Sequence, residues 1–182
     1  MNVDTRIRGI VIAGVFASIS ILLGITRLGF IPVPTPAGNA TIMHVPAILG
    51  GILEGPIVGS IIGLGFGIFS FSQATIPMFK DPLVAILPRI FVGVVAWLAY
   101  AGLKRLNVMA ALVVSAVAGT LTNTVLVLGM AAIRGYLSPA AALAIGVTHG
   151  LPEIVVAVII VVAVMMAWRG VEGRSRKTHS DL

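Results

Sequence analysis

The stretch TPAGNATIMHVPAILGGILEGP, Thr35–Pro56, decides how the rest of the chain is interpreted, because a polar, proline-rich loop passes directly into an apolar segment. The prolines favour an extended backbone, Gly38 and Asn39 permit a turn, and Thr41 can begin a helix. A loop that enters an apolar helix in this way is expected at a membrane surface. We therefore expect the loop, Thr35–Ala40, to form a lid over any bound molecule.

Apolar runs occupy nearly all of the 182 residues. The chain is 58% hydrophobic and 10% charged, with a mean hydropathy of +1.12, which excludes an ordinary soluble domain. Three intervals without a formal charge, 9–26, 55–79 and 106–133, each reach the roughly 18–20 residues that a membrane-spanning helix needs. The sequence predicts an all-α integral membrane protein with six transmembrane helices, at about 9–26, 40–53, 57–72, 83–103, 108–133 and 152–168. The second helix is short, so we expect it to be bent or enclosed by the bundle.

The net charge of +6 is arranged around these predicted helices and not in a nucleic-acid-binding patch. With six crossings, one side of the membrane receives Arg6, Arg8, Lys104, Arg105 and the basic tail 171–182. The positive-inside rule makes this side, and both termini, cytoplasmic. We expect the tail to be disordered, the first segment to be a permanent helix, and the protein to lie in a cell membrane.

The start of the last helix determines the depth of an acidic residue. A helix that begins at Ser138 would place Glu153 near the middle of the membrane, whereas one that begins at Pro152 leaves it near the outer end. Proline is favoured in a first helical turn and glutamate suits the same turn. We therefore predict that this helix begins at Pro152.

Four polar residues are predicted at similar depths in the outer halves of the last three helices: Arg89, Asn123, His149 and Glu153. Together they could orient a small polar molecule that carries a carboxylate or a heterocycle. Other interpretations remain open, because Arg89 could snorkel to the surface or neutralise Glu153, and Asn123 could bond another helix. His44, beneath the lid, could contact the ligand or tie the lid to the second helix. Lys80 and Asp81 are interpreted as a solvated turn.

Small residues recur every four positions in two predicted helices. Gly9, Ala13 and Ala17 form one stripe, which could pack internally or dock another membrane protein. Gly59, Gly63 and Gly67 form a second stripe, which we interpret as a packing seam between helices. Neither stripe by itself indicates a ligand.

No enzyme motif is found in the sequence. The three histidines are scattered, the carboxylates form no metal-ligand cluster, and no lysine completes a GxxxxGK[ST] loop. We expect no catalytic residue, no metal and no cofactor in this chain. A non-transporting scaffold or assembly subunit is the rival to a binding protein.

Four segments together resemble the substrate-binding (S) components of energy-coupling factor (ECF) vitamin transporters: PTPAGNATIMHVPAILGGILEGPIVG at 34–59, PRIFVGVVA at 88–96, GTLTNT at 119–124 and HGLPE at 149–153. The resemblance implies a six-helix, plasma-membrane protein of a prokaryote. It would capture a vitamin at its outer face and dock on a transmembrane coupling subunit with two ATPases, which use the ATP.

The resemblance also suggests roles for particular residues. The family's docking motif in the first helix matches Ala13 and Ala17, next to Gly9. Its lid and its last three helices line the pocket, which fits Asn39, Arg89, Asn123, His149 and Glu153. Pantothenate is the favoured substrate, while pyridoxine-like and pyrimidine ligands stay open. Cobalt or nickel is disfavoured, because the N-terminus MNVDTRIRG lacks histidine.

Overall fold

The chain is almost entirely helical in a computed structural model, which describes residues 3–32 and 39–180. Within these ranges the α-helices are α1 (Val3–Ile25), α2 (Val45–Glu54), α3 (Pro56–Ser72), α4 (Pro82–Ala85), α5 (Leu87–Leu103), α6 (Val108–Ile133) and α7 (Pro139–Ser180). A 3₁₀ helix covers Pro77–Lys80. Two short strands, β1 (Phe30–Ile31) and β2 (Ala40–Thr41), pair antiparallel. The predicted all-α fold is confirmed.

Four helical segments of the described chain are long and apolar enough to cross a membrane: Arg6–Ile25, Pro82–Leu103, Val108–Ile133 and Pro139–Gly170. The helices α2 and α3 are apolar but shorter. All of α2 except its last two residues is buried, as expected for a short helix enclosed by the bundle. It begins at Val45 and not at Ala40, because Ala40 and Thr41 pair with β1.

The outer surface of the long helices is apolar. Large side chains such as Ile10, Ile57 and Leu143 are more than two-thirds exposed, at 71%, 74% and 72%. Extended apolar surface of this kind is stable where lipid and not water covers it. Surface and helix lengths together indicate a multi-pass membrane protein.

The last helix differs from its prediction. It begins at Pro139, so the predicted start at Pro152 is wrong, and Pro152 lies inside the helix. An internal proline removes one backbone donor and leaves the carbonyl of Thr148 without its usual helical partner, which membrane helices tolerate. As a result, Glu153 lies near the middle of the apolar segment Pro139–Gly170.

Two predicted segments extend beyond the described residues. Of the proposed lid, only Asn39, which is exposed, and the buried Ala40 are described; 35–38 lie outside. In the tail, the backbone of α7 continues as a helix as far as Ser180, and the expected disorder of 171–182 stays a prediction. The last two residues of the tail lie outside the described part.

Glycines bring α2, α3 and α5 into direct backbone contact. A Cβ atom placed on Gly93 would lie 2.5 Å from the Cα of Gly59, closer than real Cβ atoms approach. A Cβ on Gly63 would collide with the backbone of Arg89. The predicted packing seam of α3 is therefore confirmed, with α2 and α5 as its partners. We call the following set the glycine seam: Gly51, Gly59, Gly63, Gly67 and Gly93.

The small-residue stripe of α1 packs within the chain. A Cβ on Gly9 would lie 3.5 Å from Val58 of α3, and a Cβ on Gly65 of α3 would lie 3.6 Å from Ala17. Ala13 is 7% exposed and belongs to the main apolar core. These contacts agree with the packing alternative, and the role of Gly9, Ala13 and Ala17 in docking another membrane protein stays a prediction.

Candidate functional site

Arg89 lies in the first turn of α5, just after a break in the helix at Ile86. Its side chain is 3% exposed, so it does not snorkel to the surface. One guanidinium nitrogen donates to the carbonyl of Val84. The guanidinium carbon also lies 5.4 Å and 5.3 Å from the ring centres of Phe66 and Phe79, within cation–π range. These contacts fix a buried cation in one position.

Glu153 is the buried anion of the same region and is 4% exposed. Its carboxylate accepts from the backbone N–H of Thr41 at 2.6 Å and from the hydroxyl of Thr124 at 3.1 Å. The carboxylate thereby joins β2 to α6 and α7. The ion pairs of the described residues do not include Arg89 with Glu153, so direct mutual neutralisation is not seen.

A cavity of about 50 Å³ lies between these two charged groups. Five of the six predicted binding residues line it: Asn39, Arg89, Asn123, His149 and Glu153. The remaining lining residues were not predicted as ligand contacts: Thr41, Met78, Phe79, Thr124, Val127 and Leu128. The structure therefore brings residues from five separate parts of the chain to one site.

Two buried polar atoms at this cavity have no hydrogen-bond partner among the described residues. They are Nε of Arg89 and Oδ1 of Asn123, and both side chains are less than 5% exposed. An unpaired buried polar group costs about 1–3 kcal/mol, so a group of this kind calls for a partner such as a ligand or a water molecule. The pair offers a charged donor and a neutral acceptor to a molecule in the cavity.

His44 does not line this cavity, so its predicted ligand contact is not found there. The side chain is fully buried, and Nε2 lies 2.9 Å from the hydroxyl of Thr120 on α6. His44 immediately precedes α2. It therefore ties the start of α2 to α6. The other predicted role, a tie between the lid and the second helix, involves a different partner.

A second, larger cavity of about 580 Å³ adjoins the first and shares Asn39, Thr41, Phe79 and Arg89 with it. Its other walls come from the end of α1, from α3 and from the loop after α3, and include Arg27, Phe66, Phe69 and Gln73. The described lining residues of this cavity include two arginines and no carboxylate. Sequence patterns had not predicted this region.

Asp81 is not part of a solvated turn, so that prediction is wrong for this residue. Its side chain is 5% exposed and pairs with Nε of Arg134 at 2.7 Å. The other carboxylate oxygen accepts from the N–H of Leu83 at 3.0 Å and caps α4. Because Arg134 and this N–H stabilise the ionised form, the pKa of Asp81 lies below its ordinary value.

A helical bundle with an apolar exterior and a buried polar cavity defines a membrane protein that binds a small polar molecule. The chain belongs to the family of ECF transporter substrate-specific components, whose family model matches residues 8–165. It is also similar to the pantothenic acid transporter PanT of Lactococcus lactis subsp. cremoris (strain MG1363). The two are 33% identical over 70% of this chain and 76% of the relative. The resemblance seen in the sequence is confirmed, and the chain is a substrate-binding subunit for vitamin transport.

Proposed function

We propose that this chain captures pantothenate in the site between Arg89, Asn123 and Glu153. The observation that carries the proposal is a pair of polar atoms in the cavity wall, Nε of Arg89 and Oδ1 of Asn123, to which no described residue is hydrogen-bonded. Pantothenate carries a carboxylate that can accept from a guanidinium, and hydroxyl and amide groups that can donate to an amide oxygen. The name of the similar L. lactis protein supports pantothenate over other vitamins.

The charges of the two cavities suggest how the molecule is oriented. The small cavity contains the carboxylate of Glu153, which disfavours a second anion beside it. The larger cavity has Arg27 and Arg89 in its wall and no described carboxylate. We therefore place the ligand carboxylate on the larger-cavity side of Arg89. The hydroxyl end then lies toward Asn123 and Glu153, whose oxygens can accept from it.

The transport cycle is proposed from the family and from the charge distribution. Six crossings with both termini in the cytoplasm would leave the site open to the outside of a prokaryotic cell. The chain would then dock on a transmembrane coupling subunit with two ATPase subunits, which use ATP for uptake. This chain itself would need no catalytic residue and no cofactor.

The test compares two ligands with two arginine variants. Purified chain in lipid nanodiscs is titrated calorimetrically with pantothenate and with pantothenol, in which an uncharged alcohol replaces the carboxylate. Arg89→Met removes the buried guanidinium, and Arg105→Met removes an exposed one after α5 as the matched control. Because a buried charge pair is lost, we expect Arg89→Met to weaken pantothenate binding at least ~100-fold.

Pantothenol distinguishes recognition of the carboxylate from general damage to the site. The wild-type chain should bind pantothenol far more weakly than pantothenate, and Arg89→Met should bind the two alike. Arg105→Met should match the wild type. If no vitamin in a panel stabilises or binds the wild-type chain, the capture function is wrong and the scaffold alternative is favoured. If Arg89→Met still distinguishes the two ligands, the assignment of Arg89 is wrong.

A further inference from the structure

The segment Pro77–Ala85 supplies one wall of the proposed site. Met78 and Phe79 line the small cavity, and the Phe79 ring lies 5.3 Å from the Arg89 guanidinium. The carbonyl of Val84 accepts from the same guanidinium. The position of this short segment therefore determines both the cavity wall and the orientation of the buried cation.

Asp81 holds the segment in place from its middle. Its carbonyl accepts from the N–H groups of Val84 at 3.0 Å and Ala85 at 2.9 Å, while its carboxylate caps α4. The same carboxylate pairs at 2.7 Å with Arg134, at the end of α6. A single side chain thus connects the α3–α5 region with the turn between α6 and α7.

The exposure of Arg134 to water allows this ion pair to break and re-form. The Arg134 side chain is 49% exposed, so water can compete for its guanidinium, whereas Asp81 is 5% exposed. Met78 and Val84 also belong to one buried apolar cluster with Val127 and Leu128 of α6, which helps to hold the segment. Loss of the ion pair would therefore loosen the segment without unfolding the bundle.

We propose that the Asp81–Arg134 ion pair is a latch that keeps Pro77–Ala85 against α6, and that its opening sets the rate at which the bound substrate leaves. Both members are positioning residues, since neither lines the small cavity. The proposal rests on the proposed function in one respect, because pantothenate is the ligand used as the probe. The expected signature is faster dissociation with little change in association.

Dissociation of radiolabelled pantothenate from the chain in nanodiscs tests the latch. Asp81→Asn keeps a helix-capping oxygen but loses the charge. Arg134→Gln removes the guanidinium, and Arg134→Lys keeps a cation. Because a charge-assisted hydrogen bond is lost, we expect the first two variants each to dissociate roughly tenfold faster. The double variant should be no faster than either single variant, and Arg134→Lys should be close to the wild type.

The matched control is the Arg8–Glu54 ion pair, which joins α1 to the end of α2. Its N–O distance is also 2.7 Å, and its side chains are similarly exposed, at 49% and 9%. Arg8→Gln should leave the dissociation rate within about twofold of the wild type. Unchanged dissociation in Asp81→Asn and Arg134→Gln, or effects that multiply in the double variant, would overturn the latch.

A second readout needs no ligand, because the native chain contains no cysteine. Met78→Cys places a single thiol on the segment at a position that is 3% exposed. In this background, Asp81→Asn and Arg134→Gln should each speed maleimide labelling several-fold, while Arg8→Gln should not. Equal labelling rates would overturn the latch. If wild-type chain binds no pantothenate, the proposed function fails, and this labelling result alone decides the latch.

Discussion

The glycine seam and the polar cavity are neighbouring regions that both include residues of α5, and their packing is opposite. Gly93 of α5 lies against the backbone of Gly59, while Arg89, one helical turn away, lines the cavity. Helices approach closely where side chains are missing, and a cavity remains where long polar side chains need room. The seam also contacts the backbone of Arg89 through Gly63. A rigid contact thus positions the residue that is proposed to bind the ligand.

The two regions also differ in what their packing achieves energetically. Seam residues have no polar side-chain atoms, so close contact there contributes dispersion energy and rigidity. The cavity keeps atoms on Arg89 and Asn123 that have no partner among the described residues, at a cost to stability. Substitutions in the seam should therefore change folding, and substitutions in the cavity should change binding.

The largest effect is expected from Gly93→Leu. The new side chain would collide with the backbone of α3, and overpacking against backbone should cost about 3 kcal/mol or more. Gly102→Leu is the matched control on the same helix, since a Cβ there has no neighbour within 4 Å. Size-exclusion profiles and melting temperatures in detergent measure the difference. Equal melting temperatures for the two variants would contradict the claim that close packing at the glycine seam stabilises the fold.

An intermediate effect of opposite sign is expected from Asn123→Leu. Removing a buried, unpaired acceptor should raise the free energy of unfolding of the ligand-free chain by about 1 kcal/mol. It should also weaken pantothenate binding about tenfold, because one hydrogen bond to the ligand is lost. Melting curves and calorimetry give the two values. Thr122→Val, on the adjacent position outside the cavity lining, should leave affinity unchanged.

If Asn123→Leu lowered stability as much as it lowered affinity, Asn123 would be a structural residue. The cavity would then resemble the seam in its energetics. A rise in stability with a fall in affinity would sharpen the contrast between the two regions.

The smallest effect concerns how the stabilisation by the Asp81–Arg134 ion pair depends on pH. The pKa of Asp81 is lowered, mainly by Arg134, so its stabilising contribution is complete above its unfolded pKa and is lost only as pH falls through its lower folded value. The pKa of Arg134 is raised by Asp81, so it stays charged. The melting-temperature difference between wild type and Asp81→Asn should be constant from about pH 5.5 to 9. It should shrink only in more acidic solution.

Melting temperatures measured at steps of pH check this expectation. Gly93→Ala, which changes no ionisable group, should differ from the wild type by the same amount throughout the range. A difference between Asp81→Asn and wild type that changed between about pH 6 and 8 would assign the titration to another group.

Several features of the fold could be predicted because the signal is local. The spacing of Gly59, Gly63 and Gly67 places three small residues on one helix face, and the structure confirms the seam. Arg89 could be singled out because an arginine within an apolar helix is costly. Its surroundings could not, since Phe66 and Phe79 are distant in sequence.

The errors arose where local rules met tertiary contacts. Proline and glutamate at 152 and 153 indicate a helix start, but bundle packing and the membrane environment allow the proline to remain inside α7. Asp81 has the composition of an exposed turn, yet Arg134, far along the chain, pairs with it. The packing of Ala17 against α3 also could not be predicted, because the spacing of small residues does not show which helix lies beside them.

The sequence by itself determined that this chain is a multi-helix membrane protein with a small set of buried polar residues, because hydropathy and side-chain period act over short distances. Only the tertiary structure decided which of those residues share a cavity. Arg89, Asn123 and Glu153 meet there, while His44 bonds to Thr120 instead. The physical reason is that the rotation and closeness of each helix depend on contacts with its neighbours, and above all on the glycine seam, which no single helix contains.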